Sequence, residues 1–197
     1  MSGRYVRRTR STALENSPFR DGSILPPPLA LGDYNLRAMR RSDARDWSNY
    51  LSDTQVTWNT SWSAVDFDTI DALVQKIISD YSTRTSCRWA IARVEDDALI
   101  GTCGFSWWSP ADLTAELVYD LSRSCWRRGI MHRAIDAVLE WAFFTARLNR
   151  VQAVVMTTNQ PSIALLEKCG FAREGLLRRY RMAHGTPADF YMYSRLS

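Results

Sequence analysis

Residues 125–133, with the sequence CWRRGIMHR, decide the fold, because they join a predicted strand to a predicted helix. Before them, the β-branched, aromatic and aliphatic residues of 113–119 are typical of a strand. After them, apolar residues recur at three- and four-residue spacing from Ile130 to Ala142, which predicts one buried face of a helix. A strand, a short Arg/Gly turn and a helix N-terminus together form a place where an anion can bind.

The turn has the chemistry that a phosphate group requires. The first N–H groups of a helix have no partner inside the helix, and the positive end of the helix dipole attracts negative charge. Gly129 would let the backbone approach a ligand closely, while Arg127, Arg128 and Arg133 add positive charge. Such a turn also suits a solvated surface loop, so this feature alone leaves both interpretations open.

A second strand–helix unit follows directly. Residues 149–156 predict a buried strand, and the segment 159–162 leads into a predicted helix from Ile163 to Lys168. Gly170 stands where a left-handed C-terminal cap belongs. Strand, helix, strand and helix in this order predict a mixed α/β domain with a central sheet.

Three motifs in this order resemble the GNAT superfamily of acetyl-CoA-dependent N-acetyltransferases, and within it the RimJ/RimL-type ribosomal-protein N-terminal acetyltransferases. The motifs are WRRGIM at 126–131, NQPSIALLEKCGF at 159–171, and LLRRY with HGTPADFYMYS between residues 176 and 194. The resemblance covers residues 31–197. The chain departs from the superfamily's general loop pattern at Trp126, in place of Gln or Arg, and at Met131, in place of Gly or Ala.

The resemblance implies a GNAT fold, with a twisted, mostly antiparallel central sheet, a splayed strand pair and flanking helices. It implies acetyl-CoA as co-substrate, with the pyrophosphate on the backbone of the loop and pantetheine along the strand that contains residues 117–119. The cofactor-binding residues expected on this basis are Leu117, Val118, Tyr119, Trp126, Arg127, Arg128, Gly129, Ile130, Met131, His132, Asn159, Ser162 and Lys168.

Attack of a neutral amine on a thioester needs a base and an acid beside the cofactor. Glu116 is the predicted base, because it lies in a strand with apolar neighbours; an ion pair with an arginine is the alternative role. In the superfamily the acid is usually a tyrosine on the helix after Asn159, but Leu166 stands at that position here. Ser162 is therefore the predicted donor to the departing thiolate, with the N-cap of a helix at Ile163 as its alternative role.

Tryptophans are expected at the acceptor site. Acceptor-binding residues on this hypothesis are Trp58, Trp62, Trp107 and Trp108. The alternative for the first two is that they fill the edge of the core. The four cysteines and two histidines lack the close spacing of a metal site, so no metal is expected.

The N-terminal segment differs in charge from the rest of the chain. Residues 1–30 hold five arginines and two acidic side chains, and so carry most of the net charge of +4. They predict a basic, flexible extension that contacts RNA, a ribosomal partner or another acidic partner, or else is only a solvated leader. Residues 31–197 are the predicted N-acetyltransferase domain.

Composition favours a single globular domain. The chain has 197 residues, of which 46% are hydrophobic, and no apolar run approaches the roughly 20 residues of a membrane span. Residues 1–8 lack the apolar core of a signal peptide, so a cytoplasmic location is expected. The leading function is acetylation of a protein N-terminus that begins with Ala or Ser. The alternatives are a small amine, aminoacyl conjugate or antibiotic as acceptor, and a non-catalytic CoA- or nucleic-acid-binding module.

Overall fold

One eight-stranded sheet organises the chain, which the computed structural model describes over residues 26–58, 60, 66–83 and 85–197. The strands are β1 (Leu29–Ala30), β2 (Tyr34–Ala38), β3 (Cys87–Arg93), β4 (Leu99–Ser109), β5 (Thr114–Leu121), β6 (Arg150–Met156), β7 (Ala172–Ala183) and β8 (Thr186–Leu196). The α-helices are α1 (Asp43–Leu51), α2 (Thr54–Thr57), α3 (Phe67–Thr83), α4 (Ile130–Glu140) and α5 (Gln160–Lys168). A 3-10 turn precedes α4 and a π-helical turn extends it.

The strand order across the sheet is β1-β2-β3-β4-β5-β6-β8-β7. Every neighbouring pair is antiparallel except β5 and β6, which are parallel. The predicted mixed α/β fold with a mostly antiparallel central sheet is confirmed.

The parallel pair of β5 and β6 separates soon after it begins. The two strands pair at Thr114–Arg150, Ala115–Val151 and Glu116–Gln152. From Leu117 onward β5 pairs with β4 alone, whereas β6 continues along β8. The strands therefore enclose a wedge that opens beyond Glu116, and the predicted splayed pair is present.

Helix α4 packs on one face of this sheet with the apolar side that the sequence predicts. Its buried residues are Ile130, Met131, Ala134, Ile135, Val138 and Leu139. They join the main core, which also receives Ala115 and Leu117 from β5. Because strand residues alternate between faces, Tyr119 packs against this same core.

Helices α1 and α3 cover part of the other face. They bury Trp47, Ile70 and Val74 in a second core cluster together with Ala90 of β3. Side chains at even positions of β5 point toward this face, as shown by the hydrogen bond between Asp120 and Tyr50 of α1. The two faces of β5 therefore meet different layers of helices.

The described part of the chain includes residues 26–30, which precede the predicted domain boundary at residue 31. β1 pairs with β2, and the indole nitrogen of Trp89 donates to the carbonyl oxygen of Pro27 at 2.7 Å. Residues 1–25 of the predicted extension lie outside the described part of the chain. Among the helices of the described ranges, none is long and apolar enough to cross a membrane.

Candidate active site

The loop before α4 presents the start of that helix to open space. Arg127 and Gly129 both adopt left-handed backbone conformations, with φ of 61° and 71°. A β-carbon on Gly129 would have no protein atom within 4 Å. The amide of Arg133 donates to the carbonyl of Gly129 at 3.2 Å, so the N–H groups of residues 130–132 precede the internal hydrogen bonds of the helix. These donors can hold an anionic group of about the size of a pyrophosphate.

The side chains of the loop have separate roles. Arg127 and Arg128 are exposed beside the helix start, whereas Ile130 and Met131 are buried in the core and offer only their backbone. The indole nitrogen of Trp126 donates to the carbonyl of Leu121 at 2.9 Å. That bond fixes the loop against the end of β5, so tryptophan at this position shapes the loop.

A second candidate surface is the edge of β5 inside the wedge. Leu117, Val118 and Tyr119 follow the last residue that pairs with β6. Of the strands that the structure describes, none bonds to this edge beyond Glu116. Backbone N–H and C=O groups there are available to an extended amide chain such as pantetheine.

Helix α5 begins at the mouth of the wedge. The side-chain oxygen of Asn159 accepts a hydrogen bond from the amide of Ser162 at 3.2 Å and caps the helix. The helix thus starts at Gln160, earlier than the predicted Ile163. Ser162 is its third residue, and the alternative role of Ser162 as N-cap is wrong.

The hydroxyl of Ser162 contacts the hydroxyl of Tyr119, a residue that was expected to bind the cofactor through its backbone. Its oxygen lies 2.5 Å from the hydroxyl of Tyr119. Burial raises the pKa of the Tyr119 hydroxyl above its usual value. Strand alternation in β5 places Tyr119 on the α4 side of the sheet, but no local pattern indicates that its hydroxyl reaches α5.

Glu116 is almost fully buried, with 4% of its surface exposed, and both of its oxygens accept hydrogen bonds. Arg181 of β7 donates to one oxygen at 3.2 Å, and Gln152 of β6 donates to the other at 3.3 Å. The ion pair that was the alternative role for Glu116 is therefore present. The sequence did not indicate Arg181 or Gln152 as partners, because both are distant in sequence from Glu116. The pairing of β5 with β6 brings Gln152 to Glu116, whereas Arg181 reaches it from β7, which does not pair with β5.

The tryptophans expected at the acceptor site have different positions. Trp58 is 67% exposed and stacks on His184 at 5.7 Å between ring centroids. Trp107 is 38% exposed and lies opposite Glu116 in the β4–β5 register. Trp108 is 8% exposed and packs edge-to-face on Trp141. It therefore lies in the core and not at the acceptor site where it was expected. Trp62 lies outside the described residues.

The end of α5 lies beside the first turns of α4. Ligand atoms of His132, Asp136 and Cys169 lie within 4.8 Å of one another, and Lys168 precedes Cys169 on the exposed side of α5. Burial raises the pKa of the Cys169 thiol to about 11. His132 bonds Asp136 at 3.1 Å. The places of His132 and Lys168 in the cofactor site stay predictions.

Comparison with known proteins identifies acetyltransferases as the relatives of this chain. The family model for the Acetyltransferase (GNAT) domain matches residues 34–172. The chain is 37% identical over 163 residues to the uncharacterized N-acetyltransferase p20 of Bacillus licheniformis, covering 82% of this chain and 91% of that protein. It is 28% identical over 102 residues to the ribosomal-protein-serine acetyltransferase of Escherichia coli, covering 52% and 57%.

A solved structure has the same fold. It is that of the Microcin C7 self immunity acetyltransferase MccE in complex with acetyl-CoA and AMP, with a TM-score of 0.75 and 18% identity. The match covers 85% of this chain and 94% of that chain.

Proposed function

The chain belongs to the GNAT family of acetyl-CoA-dependent N-acetyltransferases, and we propose that its acceptor is the N-terminal amine of a protein, with a ribosomal protein as the first candidate. Acetyl-CoA is the co-substrate of this family. Its pyrophosphate would bind the N–H groups at the start of α4, with Gly129 leaving room for close approach. Pantetheine would then follow the free edge of β5 into the wedge.

One observation carries the chemical part of the proposal. Glu116 and the pair of Tyr119 and Ser162 lie on opposite faces of the sheet, at the place where β5 and β6 separate. A thioester in the wedge would have a carboxylate on one side and a hydroxyl donor on the other. The amine would approach from the Glu116 side, and the thiolate would leave on the Ser162 side.

Glu116 would take the proton that the amine loses. An N-terminal amine has a pKa near ~8, so a large share is protonated at neutral pH and a base is useful. Arg181 and Gln152 hold the carboxylate in one orientation through its two oxygens. The proton would reach Glu116 directly or through one water molecule, while a backbone N–H of β5 would stabilise the oxyanion.

The acceptor side presents exposed aromatic rings that a polypeptide could contact. Trp107 lies beside Glu116 on the same face, and Trp58 with His184 forms an exposed aromatic surface where α2 meets the β7–β8 turn. An extended N-terminus can pass over such a surface and place its first residues against the rings. The Escherichia coli relative is, by its name, a ribosomal-protein-serine acetyltransferase, and this supports a protein acceptor.

The second candidate acceptor is a small molecule with an amino group, which could be an aromatic amine, an aminoacyl conjugate or an antibiotic. The stacked rings of Trp58 and His184 favour it, because they could hold a flat heterocycle. The structure of MccE contains AMP as well as acetyl-CoA. In this chain, the base of an aminoacyl nucleotide could stack on the exposed rings of Trp58 and His184.

Acetyl-CoA turnover with a panel of acceptors tests the proposal. Peptides that begin with Ala or Ser, derived from ribosomal proteins, are compared with aminoacyl nucleotides and small amines at equal concentration. We expect the highest kcat/KM for a peptide, and we expect N-acetyl-alanine or N-acetyl-serine at its first position by mass spectrometry. Turnover of small amines without turnover of any peptide or intact ribosomal protein would refute the proposed acceptor. A ribosomal acceptor would also place the reaction in the cytoplasm.

A further inference from the structure

The hydroxyl groups of Tyr119 and Ser162 connect the two sides of the wedge. Tyr119 lies in the part of β5 that has separated from β6, and Ser162 lies in the first turn of α5, which follows β6. Their oxygens are 2.5 Å apart, and both side chains are half-buried. The pair therefore lies between the core and the space that the thioester would occupy.

Either hydroxyl can be the donor in this hydrogen bond, and the ordinary acidity of the two groups favours the phenol. A phenol has an ordinary pKa near ~10 and is a stronger donor than an aliphatic alcohol. Burial raises the pKa of Tyr119 further, so its hydroxyl keeps its proton throughout the physiological range. In the arrangement that we infer, Tyr119 donates to the oxygen of Ser162. Because a serine hydroxyl has one hydrogen, that hydrogen then remains for an acceptor in the wedge.

We propose that Tyr119 is a positioning residue for acetyl transfer, whose hydroxyl orients Ser162 toward the sulfur of the departing CoA. The inference rests on the proposed role of Ser162 as donor to the thiolate. In this step the amine nitrogen forms a bond to the acetyl carbon and loses a proton to Glu116. The carbon–sulfur bond breaks, its electron pair stays on sulfur, and the hydrogen bond from Ser162 stabilises that charge. Tyr119 keeps its proton.

A structural role of the Tyr119 hydroxyl would have a different signature. Tyr193 of β8 offers a comparison, because its hydroxyl also bonds α5, donating to Glu167 at 3.0 Å. Glu167 lies near the C-terminal end of α5, whereas Ser162 lies in its first turn. If the bond of Tyr119 only fastens the helix to the sheet, removal of either tyrosine hydroxyl should have the same effect.

The test compares four variants by the rate of CoA release from acetyl-CoA in the presence of an acceptor amine. The variants are Tyr119→Phe, Ser162→Ala, the double variant and the control Tyr193→Phe. Tyr119→Phe keeps the ring, and we expect it to lower kcat about tenfold while KM for acetyl-CoA is unchanged. Ser162→Ala should lower kcat about a hundredfold, as does loss of one preorganised donor elsewhere. Tyr193→Phe should retain the wild-type kcat.

The double variant decides between the two roles. If Tyr119 acts through Ser162, its hydroxyl has nothing to orient once Ser162 is alanine, so the double variant should have the kcat of Ser162→Ala alone. Losses that multiply would overturn the inference, as would an unchanged kcat in either Tyr119→Phe or Ser162→Ala. Equal kcat losses in Tyr119→Phe and Tyr193→Phe would overturn it too, because they would assign the bond to fold stability.

Two acceptors separate this inference from the proposed function. CoA release is measured with an N-terminal peptide and with a small amine. Release by the wild type with the small amine alone would refute the protein acceptor, yet the comparison of variants would still decide the role of Tyr119. Absence of release with either acceptor would overturn both proposals.

Discussion

Replacing Gly129 by valine should abolish most of the affinity for acetyl-CoA while lowering stability only moderately. Gly129 has a φ of 71° and caps the start of α4, with no protein atom within 4 Å of the place where a β-carbon would lie. The substitution therefore has two separable effects. It strains the backbone, and it puts carbon atoms where the pyrophosphate would approach the N–H groups of the helix.

The two effects have different magnitudes. A non-glycine residue in the left-handed region costs about 1–2 kcal/mol, which lowers Tm by roughly 2–8 °C in a chain of this size. A hydrogen bond from a backbone N–H group to a charged ligand is worth about 1.5–3 kcal/mol. Loss of one such bond would raise the Kd for acetyl-CoA about tenfold to a hundredfold, and loss of two would raise it further.

Gly32 provides the matched control. It lies in the turn between β1 and β2, has a φ of 75°, and likewise has no protein atom within 4 Å of the position that a β-carbon would occupy. Gly32→Val should therefore lose about the same Tm as Gly129→Val but bind acetyl-CoA like the wild type. Calorimetric Kd values and melting curves with and without acetyl-CoA measure both quantities. Equal affinity of the two variants would refute the placement of the pyrophosphate at α4.

Three further predictions concern the base, the extension and the sheet edge. Glu116→Gln should lower kcat mainly below about pH 8, where the amine is protonated, and a deficit that is constant across a pH–rate profile would contradict its role as base. Removal of residues 1–25, which hold five arginines, should leave turnover of short peptides unchanged but make turnover of a ribosomal acceptor less sensitive to salt in steady-state assays; loss of acetyl-CoA binding would show that the segment belongs to the fold. Hydrogen bonds from Arg150 and Ser194 lower the pKa of Glu174 to about 2 from 4.5. The ionised carboxylate therefore stabilises the fold above pH 4.5, and this contribution is lost as pH falls toward 2. Melting of Glu174→Gln should accordingly depend less on pH in that range than melting of the wild type.

Much of the fold could be predicted from local sequence. The apolar spacing from Ile130 to Ala142 identified the buried face of α4, because a helix packed on a sheet must repeat its apolar residues every three or four positions. Gly129 marked the start of that helix, and Gly170 marked the end of α5, where its φ is 78°. These features depend on neighbours along the chain, so the sequence contains them directly.

The contacts of Glu116 could not be predicted in the same way. Arg181 is 65 positions away and lies on β7, which β6 and β8 separate from β5 in the sheet, so neither sequence distance nor strand pairing indicates its contact with Glu116. The chain contains many arginines, and no local pattern distinguishes the one that pairs with a given carboxylate. The sequence could suggest an ion pair for Glu116, but the identity of the partner required the three-dimensional positions of the side chains.

The two adjacent tryptophans of β4 show how one extra residue changes which side chain reaches the site. Phe105 pairs with Leu117 and Trp107 with Glu116, so Ser106 is an extra residue that shifts the register. Simple alternation from Phe105 would have put Trp107 in the core. The bulge instead turns Trp107 toward the face of Glu116 and sends Trp108 into the core.

The spacing of Glu116 and Tyr119 along β5 has a consequence for the proposed chemistry. Glu116 and Tyr119 are three residues apart in β5, and an odd spacing places two strand residues on opposite faces. The proposed base therefore lies on the face that Trp107 shares, while the hydroxyl pair lies on the face of α4 and α5. A thioester held between them would meet the amine on one side and release sulfur on the other, so the acceptor and CoA could enter and leave without crossing. The parity of a single strand would thus separate the two halves of the reaction.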